Sequence, residues 1–326
     1  MKQIILLLLL PLLTKAQFFK KENGLAHTFS IVAIDKQTGE MGVGVQSHWF
    51  SVGNVVAWAK SGAGVVATQS FVNKSFGPKG LLMMENGLSA VETLNTLLAA
   101  DEGREVRQVG MIDIYGNVAT HTGANCVDYA GHIIGENYTV QANMMLNKTV
   151  PEAMSKAFEA SEGQSLAERI LLALKAAQNE GGDIRGKQSA AIRVVKIEST
   201  GEPWNDDYVV DLRVDDHENP IEEIARLLKV QRAYEYMNAG DLYVETGEME
   251  NAMKAYNAAM QMFPDNLEMQ YWTAITLANN GDIEKADKML KEVYLKDENW
   301  RELTKRLPKV NLLDVSDEAF KQLTKW

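Results

Sequence analysis

Strand-patterned and helix-patterned segments of this chain come in blocks rather than in alternation, and that order limits the folds open to it. Residues 28–35 (TFSIVAID) are β-branched and aromatic, residues 36–39 (KQTG) turn the chain, and residues 40–46 (EMGVGVQ) return. Together they read as a hairpin. Residues 55–60 and 63–69 read as two further short strands around Gly62. A helical block follows. It holds residues 80–85 (GLLMME) and a second helix capped at Ser89, with Glu92 in the reciprocal capping-box position. Strands resume at 108–114 and 117–122, turned at Tyr115-Gly116, and a mixed strand region covers 130–140. Thr149 with Glu152 and Ser165 with Glu168 repeat the capping-box signature ahead of two more helices, the second ending at Gly181-Gly182. Residues 189–197 and 208–214 close the region as strands. A doubly wound sheet needs strand–helix alternation, so segregated blocks predict α+β layers instead.

From residue 220 onward the pattern is helical to the end. Gly240, Tyr243, Gly247, Ala252, Tyr256, Ala259 and Pro264 fall at the spacing of one tetratricopeptide repeat, a unit of about 34 residues. Small residues there let two antiparallel helices approach, and aromatics fill the groove between them. A second unit is weaker: Gly281, Ala286 and Leu290 fit, but Leu277 replaces the aromatic and the terminal proline is missing.

The start of the chain has its own signature. Lys2 precedes an apolar run over residues 4–13, and Thr14-Lys15-Ala16 offers small residues at a cut. This is the pattern of a secretory signal peptide, and the run is shorter than the roughly 20 residues a spanning helix needs. The predicted layout is a signal peptide at 1–16, a propeptide or linker at 17–27, an α+β domain at 28–218 and a helical domain at 219–326. A periplasmic or secreted location follows, with the membrane met only during export. Cys126 is the only cysteine, so no disulfide forms within the chain. The formal charge of −11 and the lack of a basic stretch argue against a nucleic-acid partner.

Common catalytic motifs are missing. There is no HExxH, Walker loop, CxxC or GxSxG, and none of the five histidines pairs with another at helical metal-ligand spacing. No metal and no cofactor are therefore expected. One constellation remains. Thr28 opens the first strand, and a threonine whose own α-amine is free can act as a nucleophile with that amine as base. Lys60, on a nearby strand, would lower the proton affinity of that pair. Alone, a threonine at a strand start is an ordinary β-former.

Other polar residues sit at strand ends or in glycine-containing loops, where sites concentrate. Ser47 and Gln69 join the catalytic candidates. His48, His121, Asn125, Asp128, Gln141 and Asn143 are candidates for binding substrate, with turn capping and satisfied core polarity as the alternative. In the loop Asp183, Arg185, Gln188 and Ser189, Arg185 either clamps a ligand carboxylate or pairs with Asp183. Cys126 reads as a small buried hydrophobe rather than a nucleophile.

Four blocks carry a resemblance: TFSIVAIDKQTGEMGVGVQSHWFSVG, GAGVVATQS, HTGANCVDYAGHIIGENYTVQANMML over 121–146, and GGDIRGKQSAA over 181–191. Together they resemble the bacterial domain-of-unknown-function family 1028, across residues 28 to about 215. That family is similar to N-terminal-nucleophile (Ntn) hydrolases such as the proteasome β subunits. The resemblance implies a four-layer αββα sandwich, with Thr28 matching the nucleophile and Lys60 on the strand that carries the active-site lysine. It implies an amidohydrolase acting on a small molecule or peptide, with backbone N–H groups near residues 67–69 or 123–125 holding the oxyanion. A non-catalytic binding protein on the same scaffold is the alternative. Residues 233–297 would serve a protein partner, and self-association stays open. Family members often carry the threonine directly behind a leader. Here residues 17–27 intervene, so catalysis requires their removal.

Overall fold

A computed structural model describes residues 25–202 and 207–326. The segment expected to be a signal peptide and most of the expected 17–27 linker lie outside the described residues. Among the described residues, no helix is long and apolar enough to cross a membrane. The chain divides into two units, ending at Ile224 and beginning at Ala225.

Two antiparallel sheets form the first unit. In the first, β1 (Leu25–Ala26), β5 (Gly64–Phe71), β6 (Arg107–Asp113) and β7 (Val118–Thr122) lie in that order, and β4 (Ala57–Lys60) also pairs with β5. The second runs β11 (Tyr208–Val214), β10 (Ser189–Lys196), β3 (Glu40–Ser47), β2 (Thr28–Asp35), β9 (Tyr138–Ala142) and β8 (Gly131–Gly135). The 130–140 region is thus a hairpin. Val32, Val43, Val45, Val65, Ala67 and Ile112 form the buried layer between the sheets. On the outer face of the first sheet, α1 (Phe76–Glu85) and α2 (Ala90–Ala99) place Phe76, Leu81 and Leu94 against Val66, Val109 and Met111.

Helices α3 (Val150–Ala160) and α4 (Leu166–Asn179) cover the second sheet. Close approach there depends on a missing side chain: a Cβ at Gly44 would lie 2.3 Å from Ile170 Cγ2. Large buried contacts of this kind leave no room for a methyl group. The result is the four-layer αββα sandwich.

Local capping follows the sequence at two of three sites. Ser89 and Glu92 make the full reciprocal box, and the Ser165 side chain accepts from Glu168 N. The expected box at Thr149 does not form. Thr149 already has helical torsions, φ −82 and ψ −6, and its hydroxyl donates instead to Glu180 Oε2 at 2.7 Å. The expected 17–27 linker also ends inside the fold, because Leu25 and Ala26 form the edge strand β1, paired with Phe71 and Ser70.

In the second unit the helices are α5 (Pro220–Glu245, whose first turns belong to the first unit), α6 (Met249–Met262), α7 (Leu267–Asn279), α8 (Ile283–Lys296), α9 (Asn299–Thr304) and α10 (Asp317–Leu323). Gly240 lets α5 meet Tyr256 of α6, since a Cβ there would lie 2.3 Å from the ring. Gly247 and Gly281, at φ 77 and 84, take the left-handed conformation that ends α5 and α7. Leu277 fills the core of the second repeat with Tyr271, Ala286 and Leu290, while Trp300, Leu303 and Phe320 close its far side.

Candidate functional site

The peptide bond between His27 and Thr28 joins the two sheets. Residues 25–26 pair with β5 in one sheet, while Thr28 pairs with Ser47 in the other. Thr28 is fully buried, and its hydroxyl donates to Ala26 O at 2.7 Å. The His27 carbonyl oxygen accepts two side-chain bonds, from Ser47 Oγ at 2.6 Å and from Arg185 Nη2 at 2.8 Å. The same guanidinium pairs with Asp183, Nε to Oδ1 at 3.0 Å and Nη2 to Oδ2 at 2.7 Å. Asp183 is buried and also accepts from the backbone N–H of His48 and of Arg185. A fork held on a buried carboxylate has a fixed direction. Of the two readings of Arg185, the pairing with Asp183 is the one seen here, and the same guanidinium also donates to the His27 carbonyl oxygen.

Beside this lies a buried amide network. The Thr28 carbonyl oxygen accepts from Gln69 Nε2 at 3.2 Å and from Asn143 N at 3.1 Å. Gln108 Oε1 accepts from Gln69 Nε2 at 2.7 Å and Asn143 Nδ2 at 2.8 Å, and Gln108 Nε2 donates to Thr122 Oγ1 and Ala142 O. These bonds orient Asn143 so that its Oδ1 meets His27 Nδ1 at 2.7 Å. Its acceptor oxygen faces the ring, so the imidazole proton sits on Nδ1. Gln141 stands one layer deeper, accepting from Ser30 Oγ at 3.0 Å, over a glycine (Gly110) whose Cβ would lie 2.5 Å from its amide. Gln69 Oε1 is buried without a partner.

Backbone strain concentrates here too. Ser70 and Met144, at φ 70 and 58, directly follow Gln69 and Asn143, and Ser51, at φ 55, lies in the loop after Ser47. Non-glycine residues in the left-handed region each cost on the order of 1–3 kcal/mol and persist where surrounding structure over-determines them.

The structure brings Thr28, Ser47, Gln69, Gln141, Asn143, Asp183 and Arg185 together, and His48 joins through its main chain. Lys60 is not among them. It pairs with Gly64, at the opposite end of β5 from Gln69, about 17 Å away along the strand, and it is half exposed in an ion pair with Glu85 at 2.5 Å. His121 bonds Arg104 O, Asn125 and Asp128 are exposed, and the half-buried Gln188 side chain donates to Asp216. His121, Asn125 and Asp128 stand apart from the Thr28 cluster, whereas Gln188 meets it through its main chain, its N–H donating to Ser47 O at 3.1 Å.

The expected oxyanion N–H groups are also engaged: Thr68 N donates to Val56 O, Gly123 N to Arg107 O and Asn125 N to Glu105 O. Burial pushes the Cys126 thiol above its ordinary value, away from the thiolate. Sequence reasoning missed Gln108, Ser30 and His27. The first two were visible as polar residues at inward positions of otherwise apolar strands.

Burial, and then the positive charge of Arg185, hold the His27 imidazole below its ordinary value, against the opposing pull of the Asn143 hydrogen bond and of Asp183. Below a pH of about 6.5 the unfolded chain therefore binds more protons at His27 than the folded chain. The contribution of His27 to stability is complete above that pH and is lost as pH falls through the folded-state value. In chain that keeps residues 25–27 ahead of Thr28, the melting temperature is expected to decline from pH 7 toward 5, and His27→Gln is expected to make that decline shallower.

A solved structure supports this fold. The crystal structure of a protein from Silicibacter pomeroyi, assigned to DUF1028, is similar with 31% identity and a TM-score of 0.56, covering 63% of this chain and 85% of that one. A tetratricopeptide repeat model matches residues 243–307. No curated protein matches the chain. The model of the family of unknown function DUF1028 matches residues 28–224, the sandwich from β2 onward with Thr28 at its start, and the chain belongs to that family.

Proposed function

We propose that this chain is an exported amidohydrolase whose nucleophile is Thr28 after removal of the residues before it. The observation that carries the reading is the pair of donors, Ser47 Oγ and Arg185 Nη2, on the carbonyl of the peptide bond that precedes Thr28. Donors fixed on a carbonyl oxygen before reaction stabilise the negative charge that develops there during acyl transfer.

The first acyl transfer is internal. Thr28 Oγ1 adds to the His27 carbonyl carbon, and the oxygen takes charge beneath Ser47 and Arg185. The carbon–nitrogen bond then breaks, and the proton from Thr28 Oγ1 ends on Thr28 N. Water hydrolyses the resulting ester to a His27 carboxylate, leaving Thr28 with a free hydroxyl and a free α-amine. In later turnovers that amine takes the hydroxyl proton and returns it to the leaving group. Arg185 supplies the cation that the sequence had assigned to Lys60. The apolar run over residues 4–13 supports export.

A second reading draws on the burial of Thr28 beneath residues 26 and 27: the scaffold keeps its leader and only binds. The repeat segment at 243–307 suits a protein partner under either reading. An electrophilic amide-mimic probe separates the two. The catalytic reading expects one adduct per chain, on Thr28 and lost in Thr28→Ala. An unmodified Thr28 in a chain whose N-terminus begins at residue 28 would rule it out.

A further inference from the structure

We infer that residues 25–27 occupy the acyl-side subsites of the enzyme, and that its substrate is an extended peptide ending, before the scissile bond, in a small apolar residue and then a histidine. This rests on the amidohydrolase reading above. It goes beyond it by assigning the substrate class from what the leader fills.

Whatever precedes Thr28 is the acyl donor of the first reaction, so its surroundings are those the next acyl donor must meet. Three features define them. The backbone of the leader adds a strand to the edge of β5, with Leu25 opposite Phe71 and Ala26 opposite Ser70. When the leader departs, that edge loses its partner. Unpaired strand groups at a buried edge are costly, and an incoming extended peptide restores the ladder.

Ala26 is fully buried, in the same apolar cluster as Val52, Ala67 and Val72. That recess has the size of a methyl group, so a large side chain there meets packed core. His27 is 2% exposed, with its ring Nδ1 against Asn143 Oδ1 at 2.7 Å and its ring perpendicular to that of Phe71 at a centroid distance of 5.5 Å. Asn143 cannot rotate to present its donor, because Nδ2 is held by Gln108 Oε1. The slot therefore asks for a flat ring that donates a proton. A site built around a buried acceptor rejects side chains that leave the acceptor unpaired. The carbonyl then falls under Ser47 and Arg185, where the His27 carbonyl lies now.

The test uses the full chain after its own processing, with acetyl-Gly-Leu-Ala-His p-nitroanilide and two analogues, one with Leu in place of His and one with Trp in place of Ala. The expected result is a kcat/KM at least about 100-fold higher for the Ala-His peptide than for either analogue. Asn143→Ala is expected to shrink the His-over-Leu preference to within a few-fold. Processed chain that takes up the electrophilic probe on Thr28 yet cleaves the three peptides equally, or prefers Leu, overturns the subsite assignment and leaves the amidohydrolase reading standing. Chain that neither frees Thr28 nor takes up the probe overturns both.

Discussion

Arg185→Ala is expected to slow the appearance of the Thr28 α-amine by about 100- to 1000-fold, the usual cost of losing one donor to a developing oxyanion. Ser47 Oγ would remain on the His27 carbonyl, so the reaction is slowed rather than abolished. The same substitution leaves Asp183, whose side chain is wholly buried, without its cation. Removing one partner of such a pair costs about 3–5 kcal/mol, here toward the lower end because two backbone N–H groups still reach the carboxylate. Arg185→Lys separates the two effects. It keeps a positive charge near Asp183 but loses the planar fork that reaches both Asp183 and His27 O at once. Its stability is expected to recover more than its processing rate. Time-resolved intact mass reads the rate, and a denaturant melt reads the stability.

Tyr256→Ala is expected to destabilise the helical unit by about 3–5 kcal/mol, the range for losing a large buried aromatic. The ring is fully buried, faces Gly240 and lies in a cluster with Ala233, Met237, Ala252 and Met269. Its hydroxyl donates to Asp241 at 2.6 Å, and Asp241 is itself exposed. Tyr256→Phe therefore strands no buried acceptor and is expected to cost about 1 kcal/mol or less. A melt of the two variants would show the ordering. Equal, small effects would mean that the Gly240–Tyr256 contact does not hold the repeat together.

Block order was legible because it rests on periodicity, which a chain carries locally. The same holds for Ser89 and Ser165, whose caps involve residues three positions apart. Thr149 failed because its hydroxyl found a distant acceptor, Glu180, which no local pattern encodes. The two-residue strand at Leu25–Ala26 has no period to read and exists only through pairing with β5. Lys60 lies in an expected strand, but the register with Gly64, not the strand itself, sets its distance from Thr28. Within the site, Thr28, Ser47, Gln69, Asn143, Asp183 and Arg185 were nameable singly as polar residues at strand ends and loops. Their convergence on the carbonyls of His27 and Thr28 was not, since it depends on β1 and β2 lying in different sheets.

The most direct measurement is the N-terminal sequence and intact mass of the protein taken from the cells that make it, beside the Thr28→Ala variant. The account predicts a wild-type chain that begins at Thr28 and a variant that keeps His27. A wild-type chain that still carries residues ahead of Thr28 would contradict it, because the α-amine that serves as the base would then never exist.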